Sequence, residues 1–199
     1  MENESTPIKR EDQLIQALRE VLSKNEIEIF RQYKVSEQEL QSITEVAKDI
    51  LRRIPRTPYA CAMMSALWGA CIQDNTKVPV AVIAGHLDVN GRRVFQYKTA
   101  IPTSTEERQI EQWDGHCWIE FGGHIGDISI FRTSASDLVP LVVRQYIETT
   151  FRSGKGVLVA SPEYLKFHGL IYTPIRALSK LQIDGLVRGA ELLFKKNDI

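Results

Sequence analysis

The sequence predicts an α+β fold: a buried helix packed on an antiparallel sheet, with further helices before and after. Three observations carry this. Residues 59–72 form a helix-length stretch with no charged side chain, which is how a helix covered on nearly all sides reads. Asn90-Gly91 and Gly122-Gly123 each sit between short alternating or β-branched runs, as hairpin turns do. Amphipathic segments with apolar residues at helical spacing lie on both sides of this middle region.

Residues 10–24 place Leu14, Ile15, Leu18, Val21 and Leu22 on one helical face. A second helix starts at Ser36, where Ser36 and Glu39 match a capping box and Leu40, Ile43, Val46, Ile50 and Leu51 form the apolar stripe. Pro55 and Pro58 are expected to end it. Residues 1–55 thus read as a helical segment and 56–199 as the core with C-terminal helices, together one compact domain. Thr57 as N-cap and Pro58 as first helical residue then open the uncharged helix, with Cys61 in its first turns.

A β-branched run from Val78 to Val89 turns at Asn90-Gly91 and returns over Arg92–Tyr97. After a polar loop, the stretch Asp114-Gly-His-Cys-Trp-Ile-Glu-Phe-Gly-Gly-His-Ile-Gly-Asp127 forms the next hairpin, making about four strands. Beyond it, Ser136-Asp137 is expected to cap a helix carrying Leu138, Val142, Tyr146 and Ile147. A short apolar run, Val157–Ala160, and helical pieces near 162–167 and 174–195 complete the chain. Gly154-Lys155-Gly156 lacks the spacing and the trailing Ser/Thr of a phosphate-binding loop.

The second hairpin carries the chemistry. With Gly122 and Gly123 as its two turn residues, Phe121 faces His124, Trp118 faces Asp127 and His116 faces Ser129. His116, Trp118 and Glu120 then share a face with Ile125, Asp127 and Ser129, and Asp127 is the diagonal neighbour of His116. A three-residue turn would put Asp127 on the other face. A histidine oriented by an aspartate is the back half of a catalytic triad.

Cys61 is the matching nucleophile, since exposed N–H groups and the dipole at a helix start favour a thiolate. Cys71, at the far end of the helix, reads as core, and Cys117 points away from His116 by alternation. Trp118 is a candidate wall of the site. His124 falls on the opposite face, and Glu120, nearer the turn, is expected to be solvated or salt-bridged.

The order of these residues adds a resemblance. Cys61 at the start of an apolar helix, a strand ending near Ala84-Gly85, His116-Cys-Trp118-Ile-Glu-Phe and Asp127-Ile-Ser129 together look like the transglutaminase-like, papain-like cysteine enzymes. The resemblance runs from Cys61 to Ser129. It implies Cys61 as nucleophile, His116 as general base and acid, and Asp127 as orienter of the imidazole. It also implies a thiol hydrolase or acyltransferase acting on an amide or ester carbonyl through a thioester, with peptide, protein or small amide or ester substrates and no cofactor. Ser129 stands where the family has threonine. No glutamine lies just upstream of Cys61, so the oxyanion role falls to the Cys61 N–H and a second, unassigned donor.

Two other readings compete. The fold could serve as a non-catalytic binding module, or His86, His116, His124 and Asp127 could supply a metal-dependent hydrolase. Acids and bases balance at 25 each, which leaves no electrostatic footprint for nucleic acid or an anionic membrane. No apolar run approaches a membrane span, and the acidic N-terminus is unlike a signal peptide. Three scattered cysteines form neither a disulfide framework nor a zinc motif, and a reducing cytoplasm is the expected location.

Overall fold

The computed structural model describes residues 9–54, 60–102, 113–134, 139–152 and 156–195. It is α+β, with a six-stranded antiparallel sheet among the described residues. Three helices come first: α1 (Arg10–Leu18), α2 (Lys24–Gln32) and α3 (Glu37–Arg53). The expected single helix over 10–24 is therefore two. It stops at Leu18, and Ser23 and Glu26 form a capping box that opens α2, a reciprocal pair that satisfies both ends' donors. The Ser36–Glu39 box opens α3 as expected. Arg132 binds the main-chain oxygens of Leu51 and Ile54, taking up carbonyls left over at the end of α3.

Helix α4 (Cys61–Asn75) begins later than the sequence suggests. Its N-cap is Ala60, which makes no side-chain capping bond; the expected cap Thr57 and first residue Pro58 lie outside the described residues. Cys61 is consequently the first helical residue. Trp68, fully buried, donates its indole N–H to the Ile43 carbonyl at 2.9 Å and ties α4 to α3.

The sheet is built around β1 (Val80–Val89), which turns at Asn90-Gly91 into β2 (Arg92–Phe95). Both turn residues have positive φ, 47° and 74°, as a two-residue hairpin with right-handed strand twist requires. The return strand ends at Phe95 rather than Tyr97. Strand β1 does not end near Ala84-Gly85 either. It pairs with β3 (His116–Phe121) from Val80 to Gly85 and with β2 from Leu87 onward, so the position marks a change of partner. Strand β4 (His124–Asp127) follows β3, then α5 (Ile130–Ser134), α6 (Leu141–Phe151), β5 (Leu158–Ala160) and α7 (Pro162–Phe167). The N-cap of α6 is Pro140; the expected cap at Ser136-Asp137 lies outside the described residues.

The last segment departs most from expectation. Residues read as the start of a helix at 174 belong to β6 (Leu170–Ala177), and α8 begins at Lys180 and runs to Lys195. Pro174 sits on a strand whose described ladder runs only to β1, where a missing N–H is tolerated. The four strands expected in the middle of the chain are present as β1–β4, and β5 and β6 join them in the described sheet.

The sheet separates two cores. One holds Ile43, Ile50, Trp68, Val82, Cys117, Ile119 and Leu186. The other holds Leu14, Leu18, Ile83, Leu87, Trp118, Ile125 and Tyr172. Gly85, opposite His116, is needed where β1 passes between them. A Cβ there would land on the Thr173 carbonyl oxygen of β6 and 2.8 Å from the Trp118 ring. Gly85→Ala is expected to cost about 1–3 kcal/mol, because the backbone on one side cannot give way. Urea unfolding checks it, and a loss under about 0.5 kcal/mol would mean the strands separate more easily than the structure implies.

Candidate active site

The hairpin that carries the site has the anticipated two-residue turn. Gly122 and Gly123 have φ of 50° and 80°, and Phe121 pairs with His124, Glu120 with Ile125 and Ile119 with Gly126. Continuing that register by one residue sets Trp118 opposite Asp127 and leaves His116 on the diagonal. The diagonal closes: His116 Nε2 lies 2.6 Å from Asp127 Oδ2, and both side chains are completely buried.

The expected His116–Ser129 facing is not a strand pairing, because β4 ends at Asp127. The Asp127 carboxylate causes that ending. Its Oδ1 accepts from the Ser129 N–H at 2.9 Å, the Ser129 hydroxyl at 3.0 Å and the Ile130 N–H at 2.9 Å. These bonds hold the turn into α5 and point the second oxygen at the imidazole. Ser129 therefore braces the aspartate through both its backbone and its side chain.

Oxygen Oδ2 also accepts from the Tyr172 hydroxyl at 2.8 Å, a partner the sequence reading did not include. Tyr172 is 45 residues away on β6, between two segments that read as helical, so no local pattern links it to the site. Phe95 stacks on His116 at 5.0 Å between ring centroids, with 21° between planes, and Trp118 lies at 6.3 Å and 26°. Trp118 is thus both core and a wall beside the imidazole. Its indole N–H donates to Glu120 Oε1 at 2.9 Å, and the same oxygen takes an ion pair from Arg10 of α1. Glu120 is salt-bridged as expected, but it is buried rather than solvated.

Burial works against the charged form of His116, and the Asp127 charge and hydrogen bond, with a further contribution from Cys61, overcome it to push the imidazole up to about 10. Asp127 is held below its ordinary value: burial opposes this, but the charge of His116 and the bonds from His116, Ser129 and Tyr172 prevail. Both shifts favour a charged imidazole beside a charged carboxylate.

Cys61 belongs to the first core and His116 projects into the second. His116 is the first residue of β3 and its β1 partner Gly85 has no side chain, so the two layers can meet at this strand end. Cys61 lies near enough to the ring there to favour its charged form. The ring's other nitrogen, Nδ1, is buried and has no hydrogen-bond partner among the described residues.

The remaining residues separate cleanly. Cys117 packs in the first core, and burial together with the charges of Cys61 and Asp127 pushes its thiol well up. Burial and Asp74 raise Cys71 as well. His124 stacks on Phe121 at 6.0 Å. His86 accepts the Tyr97 N–H on Nδ1 at 2.9 Å. Among the described residues no group of three or more His, Cys, Asp or Glu is placed to hold a metal, and no helix is long and apolar enough to cross a membrane. In comparisons with known proteins the chain matches no family model, no curated protein and no solved structure.

Proposed function

We propose that this chain is a cysteine-dependent hydrolase or acyltransferase on a transglutaminase-like core, with Cys61, His116 and Asp127 as its triad. The observation that carries the reading is the buried His116–Asp127 pair, 2.6 Å apart, with Cys61 at a helix start acting on the same ring. A carboxylate on Nε2 leaves Nδ1 for the nucleophile, which is the division of labour a triad needs.

In the reacting form a Cys61 thiolate stands beside an imidazolium at His116, the charged pair a cysteine nucleophile uses. The sulfur adds to an amide or ester carbonyl carbon, and the C=O π electrons move onto oxygen. When the tetrahedral adduct collapses, the bond to the amine or alcohol breaks and His116 gives that leaving group its proton. A thioester on Cys61 remains. Neutral His116 then takes a proton from water or an amine as it attacks, the thiolate leaves, and the imidazolium is restored. Asp127 holds the ring's tautomer and offsets its charge throughout.

Iodoacetamide labelling across pH, with the adduct mapped by mass spectrometry, tests this. Cys61 is expected to label first of the three cysteines, and to keep reacting below the range where an ordinary thiol of pKa about 8.5 falls silent. Labelling confined to Cys71, with Cys61 inert in the native protein, would remove the nucleophile and the proposal with it. An activated aryl ester should in turn leave an acyl group on Cys61, lost on Cys61→Ala.

A further inference from the structure

Asp127 Oδ2 serves two donors at once, and only one of them belongs to the triad. His116 Nε2 meets it at 2.6 Å and the Tyr172 hydroxyl at 2.8 Å, while Oδ1 is taken by three donors from Ser129 and Ile130. Tyr172 is fixed on β6, opposite Leu87 of β1. Its carbonyl is held by Arg10 Nε at 3.0 Å, and its ring packs edge-on against Trp118 at 5.2 Å. The phenol cannot swing to another acceptor without disturbing α1 and the second core.

We propose that Tyr172 is a positioning residue that sets the strength of the imidazole as an acid, by drawing part of the Asp127 charge away from His116. This rests on the triad reading for its meaning in catalysis. A hydrogen bond to an ionised carboxylate is strong, and charge engaged by one donor is less available to the next. Burial and the neighbouring Asp127 charge keep the phenol protonated well above its usual range, so it remains a donor wherever the triad would work. Without it, Oδ2 would pull harder on the imidazolium and His116 would be a poorer donor to the leaving group.

The ionisable groups around the pair come from every neighbouring element. Cys61 of α4 acts on His116, and Cys117 of β3 lies under the charge of both Cys61 and Asp127. Glu120 of β3 and Arg10 of α1 meet as an ion pair behind Trp118. None of them donates to Oδ2, so the Tyr172 hydroxyl is the one to test.

The test is an NMR titration of the His116 ring in the full-length protein. Tyr172→Phe keeps the aromatic packing and removes only the donor. If Tyr172 tunes the pair, the His116 midpoint rises by about one unit, a tenfold change in proton affinity. At the parent's own midpoint, where its ring is half protonated, the variant's would be about nine-tenths protonated. A residue that merely supports the packing predicts the opposite sign, because a loosened Asp127 lets burial pull the midpoint down. An unchanged or lowered midpoint overturns the proposal.

Protein grown with 3-fluorotyrosine provides a second arm that does not depend on the variant folding. The more acidic phenol should strengthen the bond and lower the His116 midpoint, and no shift or a rise also overturns it. Both arms read His116 without turnover. An inert Cys61 would sink the enzyme reading and leave this result standing, whereas a wrong sign here leaves the nucleophile untouched.

Discussion

Asp127→Asn is expected to destabilise the fold by about 3–5 kcal/mol at pH 6 and to slow Cys61 alkylation by roughly two to four orders of magnitude. Five donors converge on the two oxygens of this buried carboxylate. Asparagine has one acceptor oxygen and an NH2 that only donates. With the oxygen placed on the Ser129 and Ile130 N–H groups, the NH2 faces the Tyr172 hydroxyl and His116 Nε2. The hydroxyl can rotate, but Nε2 must give up its proton and the tautomer moves to Nδ1–H. The nitrogen left for Cys61 is then a donor and cannot accept its proton.

The pH dependence has a definite sign. His116 is raised from 6.5 to about 10 in the folded protein, so its contribution is complete below about 6.5 and disappears as pH rises through about 10. Asp127 is lowered from 3.8, so its contribution is present above that value and lost as pH falls through the folded one. The difference between parent and variant should therefore be widest between about pH 4 and 6.5 and narrow on both sides. Urea unfolding of both proteins from pH 3 to 10 measures it. A gap that grows steadily with pH would show that the ion pair is not what holds the two strands' ends together.

Arg10→Ala is expected to cost about 3–5 kcal/mol at pH 8 and clearly less at pH 4. Glu120 is buried, and burial raises its pKa despite the opposing charge of Arg10 and the bonds from Trp118 and Arg10. A carboxyl whose folded pKa is raised favours folding below its unfolded value of 4.5 and loses that contribution as pH rises through the folded one. Removing Arg10 takes away the cation that limits this shift, so the deficit deepens as pH rises. Adding Glu120→Gln should recover much of the loss, since a neutral amide oxygen still accepts from the Trp118 indole without leaving a buried charge. Chemical denaturation of the single and double variants at the two pH values decides it. Equal losses at pH 4 and pH 8, or no recovery in the double variant, would locate the role of Arg10 in its bond to the Tyr172 carbonyl instead.

What the amino-acid sequence determined by itself is local. The Asn90-Gly91 and Gly122-Gly123 turns, the Ser36–Glu39 cap and the alternation along 116–121 follow from φ preferences and side-chain periodicity over a few residues. Those same rules brought His116 and Asp127 together, because a two-residue turn sets the register of every pair behind it. They likewise placed Cys117 and His124 on the other face.

Tertiary structure decided the rest. The strand nature of 170–177 depends on which partner the segment meets, whereas the Ser23–Glu26 box that opens α2 is local and was there to be read. Pro174 reads equally well as a helix start or an edge-strand residue until β1 is beside it. Tyr172 on Oδ2, Arg10 on Glu120 and Cys61 at the end of β3 join segments 45, 110 and 55 residues apart, which no short-range pattern encodes. The strength of the imidazole belongs to this second category. It is the balance of burial, one carboxylate and the donors competing for that carboxylate, and that balance exists only once β3, β4, β6 and α4 share one place.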